Sequence, residues 1–202
     1  MPRQLNKIFS QPFRMLFTPF LFIGVLFPQT KTNLEIFYSM ADSSIAQFIS
    51  SANLPPKIRV EFNHGEAYSI FNNQILSELK NKGIEPVLTK NDSLPLFSYS
   101  IEQPLTQYTH IFRDGFIGSY LVSRDISLKG NYFFSGSGKK DFSFNHIDTV
   151  KVNDIKNLEN ISYKFTTGTI PPEPFFTGLF EPIVALGTAA AAVVLFFTVR
   201  SR

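Results

Sequence analysis

The spacing of apolar residues changes along this chain, and each change marks an element. Leu34, Phe37, Tyr38, Ala41, Ile45, Phe48 and Ile49 recur at three- and four-residue intervals, which puts them on one face of a helix. Asn33 stands where a cap is expected. Asn53 with Pro55 and Pro56 ends the helix, because proline lacks the N–H and crowds the preceding turn. In KIRVEF the spacing drops to two, with Ile58, Val60 and Phe62 on one face and Arg59 and Glu61 on the other, the pattern of a half-buried strand. Helical spacing returns through Tyr68, Phe71, Ile75, Leu76 and Leu79, and Gly83 stands where a left-handed residue closes such a helix. IEPVLTK follows as a second strand.

Further along, Phe97, Tyr99 and Ile101 alternate, as do Ile126, Leu128, Tyr132 and Phe134, and then Phe142 and Phe144. SGSGKKD between the last two groups is a polar turn, so the pattern predicts a long antiparallel hairpin or meander. DTVKVNDIKNLEN closes the unit as a short strand and a helical turn, and no internal repeat is visible. The expected fold class is α+β, a small mixed or antiparallel sheet with two amphipathic helices, followed by a single transmembrane helix.

That last expectation comes from Pro182–Val199, an uncharged run of 18 residues followed by Arg200, Ser201 and Arg202. As a helix at about 1.5 Å per residue it spans about 27 Å, close to the roughly 30 Å of a bilayer's hydrocarbon core. Pro182, Gly187, Ala191, Leu195 and Phe197 are expected as anchor residues in lipid. Glu173 and Glu181 are the charges between Lys164 and Arg200, so positive-inside asymmetry puts Arg200 and Arg202 in the cytoplasm and the domain outside it. A buried core helix is the alternative. Ala185, Gly187, Ala189 and Ala191 are small enough for a helix-mediated oligomer. Upstream, Pro171, Pro172 and Pro174 predict an extended stalk.

At the other end, Arg3, Lys7 and Arg14 precede an uncharged run over residues 15–28. As a helix this run falls roughly 10 Å short of the hydrocarbon core, the length of a signal-peptide apolar region; an uncleaved anchor is the alternative. VLFPQT carries no small-x-small cleavage pattern. The resulting organisation is a signal peptide at 1–28, an extracytoplasmic domain at 29–168, a stalk at 169–181, a transmembrane helix at 182–199 and a tail at 200–202.

Charge and composition narrow the function. The net charge is +3 with a pI of about 9.1, yet Arg3, Lys7, Arg14, Arg200 and Arg202 lie at the ends, while all 16 acidic residues lie between Gln29 and Pro182. The middle carries no basic stripe, which argues against nucleic acid as a partner. The 202 residues include no cysteine, which removes disulfides, thiolate metal sites, cysteine nucleophiles and lipid-modified cysteine together.

The helix ending before KIRVEF, the helix SIFNNQILSELKNKG and the strand IEPVLTK resemble the N-terminal envelope domains of the CsgG, FlgO and TolB type over residues 34–90. That resemblance implies an anticodon-binding-like fold and work in envelope assembly or secretion, with no catalytic residues to carry over. The chain departs from the pattern by its C-terminal apolar helix and its missing lipidation cysteine. It is also similar in its mixed sheet to lipopolysaccharide-assembly proteins of the LptE type.

Candidate chemistry is sparse. His64, His110 and His146 share no metal-ligand spacing, so no metal or cofactor is expected. His64 and Glu66 meet in the loop FNHGEAY, where a metal-free hydrolase would have its candidate pair; a loop capping the next helix is the alternative. GSGKK fails phosphate-loop spacing, and no Gly-x-Ser-x-Gly elbow precedes a helix. Arg113 with Asp114, and Arg124 with Asp125, are read as surface ion pairing across the sheet.

The expectation is a non-catalytic, single-pass inner-membrane protein of a bacterial envelope. Its periplasmic domain acts as adaptor or assembly factor toward other envelope proteins and meets the bilayer through its terminal helix. The alternatives are the envelope hydrolase and an accessory subunit of a secretion or transport complex. A signal peptide predicts a mature N-terminus between Gln29 and Asn33, to be checked by N-terminal sequencing of the membrane-extracted protein; finding Met1 or Pro2 there would make the short run an anchor.

Overall fold

A computed structural model describes residues 30–89, 93–115, 118–172 and 177–200, and in the last helix the side chains of 182–199. The expected signal segment, Ser201 and Arg202 lie outside the described residues.

Helix α1, Asn33–Ser51, starts with a capping box: the Thr32 hydroxyl accepts the Glu35 N–H, and the Glu35 carboxylate accepts the Thr32 N–H at 2.7 Å. The cap is therefore Thr32 and not Asn33, which is left free to turn inward and is fully buried. Strand β1, Lys57–Phe62, leads through helix α2, Ile70–Asn81, to the short strand β2, Glu85–Val87. Three long strands follow: β3, Leu96–Arg113; β4, Tyr120–Phe134; and β5, Gly138–Lys151. Helix α3, Ile155–Leu158, and two 3-10 turns complete the domain.

The sheet order is β2-β1-β3-β4-β5, with β1 parallel to both β2 and β3 and the remaining pairs antiparallel. This is the mixed α+β sheet that the two periodicities predict. Strand β3 extends further than the alternation of Phe97, Tyr99 and Ile101 indicates, because register shifts at Ile101/Gln103 and Thr109/Ile111 change its phase. Before the first bulge the odd residues are buried; after it Pro104, Thr106 and Tyr108 are.

One face of the sheet carries α1 and α2. Phe37, Ile45, Phe48, Phe71, Ile75 and Leu79 from the helices meet Ile58, Val60, Phe97, Tyr99, Ile126, Leu128 and Tyr132 from the strands, all at 1% exposure or less. Phe48 stacks on Phe97 at 4.1 Å and sets its edge against Tyr132 and Phe134. A second, smaller core of Tyr108, Val122, Val150, Ile155 and Leu158 lies at the other end of the long strands.

Helix α4, Thr177–Arg200, begins before Pro182, so the last part of the proline-rich segment is helical and Pro182 lies within it. Proline there removes one helical hydrogen bond, which is how a helix accepts a local bend.

Because the aromatic cluster on Phe48 closes the main core, Phe48→Ala is expected to lower the unfolding free energy by about 3–5 kcal/mol, read by chemical denaturation of the detergent-solubilised protein; a loss under about 1 kcal/mol would mean the cluster collapses around the gap.

Candidate functional site

Arg124 lies on β4 in the same phase as Val122, Ile126 and Leu128 and is fully buried, at the seam between the two cores. A guanidinium without water survives only if its donors are met. Here Nε and Nη2 donate to the two Asp148 carboxylate oxygens on β5 at 2.8 and 2.5 Å, a paired geometry that matches guanidinium to carboxylate. Nη1 donates to the Lys31 carbonyl at 2.9 Å and to Asn33 Oδ1 at 2.7 Å. The Asn33 amide then donates to the Tyr108 hydroxyl at 3.0 Å and to the Thr166 carbonyl at 2.7 Å. Arg124 thus pairs across the sheet as expected, with Asp148, its register partner, but the guanidinium is buried and not at the surface.

The electrostatics follow from this packing. Burial raises the Asp148 carboxyl, but its bonds to Arg124, the Arg124 charge and the nearby His146 outweigh that and hold it below the ordinary carboxylate value. Burial pushes the Tyr108 hydroxyl up to about 12 despite the bond from Asn33, so it stays protonated. Every buried side-chain nitrogen and oxygen of the network has a hydrogen-bond partner. The network joins the start of α1, strands β3, β4 and β5, and the segment after α3. A chain cut after Thr32 would lose both the capping box and the Lys31 carbonyl.

The pair His64 and Glu66 is placed differently. His64 follows β1 in a loop, packs near Phe62 and Tyr68, and bonds Asn72 Oδ1 of α2 through Nε2 at 2.8 Å. Burial lowers its pKa below the ordinary histidine value, opposed by the Asn72 bond. Glu66 opens the 3-10 turn Glu66–Tyr68 and is exposed, without a hydrogen bond to His64. The geometry is that of a loop held against the following helix. Among the described residues no three His, Asp or Glu side chains gather as a metal-ligand set.

The anchor residues Pro182, Gly187, Ala191, Leu195 and Phe197 lie on α4, where every described side chain is exposed, from Val184 at 43% to Val199 at 75% among the large ones. This helix is long and apolar enough to cross a membrane. Arg200 ends α4, and Arg202 lies outside the described residues.

No protein-family model matches this chain, and no curated protein matches it. Among solved structures it is similar to the crystal structure of the rare lipoprotein B from Shewanella oneidensis, at 8% identity and a TM-score of 0.35, over 68% of this chain and 98% of that one. A likeness this distant carries no functional argument.

The remaining candidate surface is the sheet itself. Its helix-free face presents Ser98, Ser100, Gln107, Ser123, Asp125, Ser127, Lys129 and Asn131, with Leu105, Phe133 and Ile147 among them. Beside it, a cleft of about 580 Å3 runs between residues 105–109 of β3 and Thr167, Gly168 and Thr169. Sequence periodicity marks such a face only as polar; that no described helix covers it is a property of topology.

Removing one partner of the buried pair leaves an uncompensated charge, so Asp148→Asn is expected to cost about 3–5 kcal/mol. The sign with pH is fixed by the lowered folded-state pKa: the pair's contribution is present above about pH 4, where the unfolded carboxyl is also ionised, and is lost as pH falls through the folded value. Denaturation curves at stepped pH check both, and Asp148→Asn should flatten the acid limb. An unchanged acid limb would show that other carboxylates control it.

Proposed function

We propose that this chain is a non-catalytic, single-pass membrane protein of the bacterial cell envelope, with its α+β domain on the extracytoplasmic side acting as an adaptor or assembly factor for other envelope proteins. The observation that carries this reading is α4, whose 18 residues Pro182–Val199 are apolar on every side and covered by none of the described residues. In water such a helix exposes its whole surface at a cost. In lipid it satisfies its backbone internally and needs no partner. The charge pattern supports the orientation, since Arg200 and Arg202 follow the helix and no basic cluster precedes it.

The adaptor role draws on the sheet face that no helix covers among the described residues and on the buried polar network, whose groups bond one another and tie the segments of the domain together. The hydrolase reading has less to stand on, because His64 is committed to Asn72 and Glu66 points away into water.

Truncation after Glu181 is expected to release the domain in soluble form to the periplasm. Alkaline phosphatase fused near Thr169 should be active, and a fluorescent protein that matures only in the cytoplasm should light up after Arg202. Active phosphatase at the C-terminus would put the domain in the cytoplasm and end the envelope reading.

A further inference from the structure

Among the described residues, the outer sides of β2, of β3 beyond β1 and of β5 lack a neighbouring strand, and the first two are blunted. Strand β2 is only 3 residues long. Strand β3 runs past the end of β1, which pairs with it only as far as Tyr99, but this free stretch carries Pro104, bulges at Ile101/Gln103 and Thr109/Ile111, and His110 at a φ of 45°. The segment after α3 also lies along it, with the Thr106 hydroxyl donating to the Phe165 carbonyl and Gly168 so close that an added Cβ would meet Tyr108 at 2.8 Å. Proline, bulges, short length and a covering segment are the devices by which folded sheets keep other strands away.

Strand β5 has none of them. Its pairing with β4 runs unbroken from Gly138 to Lys151. Lysines stand only at its two ends, as Lys139, Lys140 and Lys151, and the stretch from Phe142 to Val150 has no lysine, proline or bulge. In the middle of this stretch Ile147 is 67% exposed.

We infer that β5 is an interface at which a second copy of this chain adds its own β5 antiparallel, about a two-fold axis through Ile147. The stretch is self-complementary about that residue. Ile147 meets Ile147; His146 meets Asp148 on both sides of the axis; Asn145 meets Thr149; Phe144 meets Val150; and Ser143 meets Lys151. Histidine falls opposite carboxylate, polar residues opposite polar and apolar opposite apolar, the condition under which cross-strand pairs stabilise a sheet. Moving the axis to His146 sets histidine against histidine and Phe144 against Asp148, and moving it to Asn145 sets Lys139 against Lys151.

Face alternation is also respected. Ile147 joins the uncovered face, while Phe144 and Val150 lie on the helix side, where a groove of about 170 Å3 between α1 and β5, lined by Ile36, Met40, Phe144 and His146, runs beside the pairing stretch. The pairing requires only the folded domain and holds whichever way the chain is oriented in the membrane.

The absence of cysteine makes the test clean. Opposed residues on antiparallel strands have Cα atoms about 4.5–5.5 Å apart, within disulfide range. In full-length protein in its native membrane, Ile147→Cys should therefore oxidise to a disulfide-linked homodimer far more completely than Lys139→Cys on the same strand. In detergent, Ile147→Lys should shift the wild-type dimer to monomer by light scattering while leaving the circular dichroism melt unchanged. Equal crosslinking at both positions, crosslinking of Ile147→Cys only to other proteins, or a dimer that survives Ile147→Lys would each overturn the β5 interface, the last assigning any dimer to α4.

Discussion

A guanidinium that has lost all contact with water dictates much of this fold. Arg124 needs an acceptor for its donors, and those acceptors come from the turn before α1, from the first residue of α1 and from β5. Each of these segments must be in place before the charge can be buried. The desolvation penalty therefore makes the assembly of the domain all-or-none at this point: partial structures that bury Arg124 without Asp148 or Asn33 are penalised by several kcal/mol. Hydrophobic burial under α1 and α2 supplies the drive, and the arginine supplies the requirement that the pieces meet in one arrangement.

The division of the molecule into two cores follows from the same residue. Val122 belongs to the small core and Ile126 to the large one, with Arg124 between them on one strand face. A hydrophobe there would fuse the cores into a continuous strip. The ion instead holds the long hairpin at a fixed place against the start of α1, and the bulges in β3 bring Thr106 and Tyr108 into the same layer.

Much of this was legible in the spacing of residues. The helices around Phe48 and Ile75, the strand KIRVEF and the aromatic alternation of β3 to β5 all stand where their periods put them, since each buries a single face. The central polar network could also have been read: Arg124 falls two residues before Ile126 in the buried phase of β4, and Asp148 falls in the phase of Phe142 and Phe144. Pairing across the sheet is expected for Arg124, but at the surface, because a charged residue is ordinarily exposed and the phase it shares with Ile126 is given less weight. Asn33 was misread for a related reason: an amide one residue inside a helix looks like a cap until Thr32 and Glu35 are seen to form the box. The continuation of β3 was hidden because a bulge breaks the alternation on which strand reading depends. His64 and Glu66 are close in sequence, but His64 bonds Asn72 while Glu66 is exposed.

Asn33 has one further consequence. Its amide bridges Arg124 to the Thr166 carbonyl, a contact between segments 133 residues apart, so the chain enters and leaves the domain at one spot. Tension applied to the chain beyond Thr166 loads this clasp together with the contacts that Phe165 and Gly168 make on β3. Load is thereby shared among several hydrogen bonds and a buried ion pair instead of peeling the strands apart one after another.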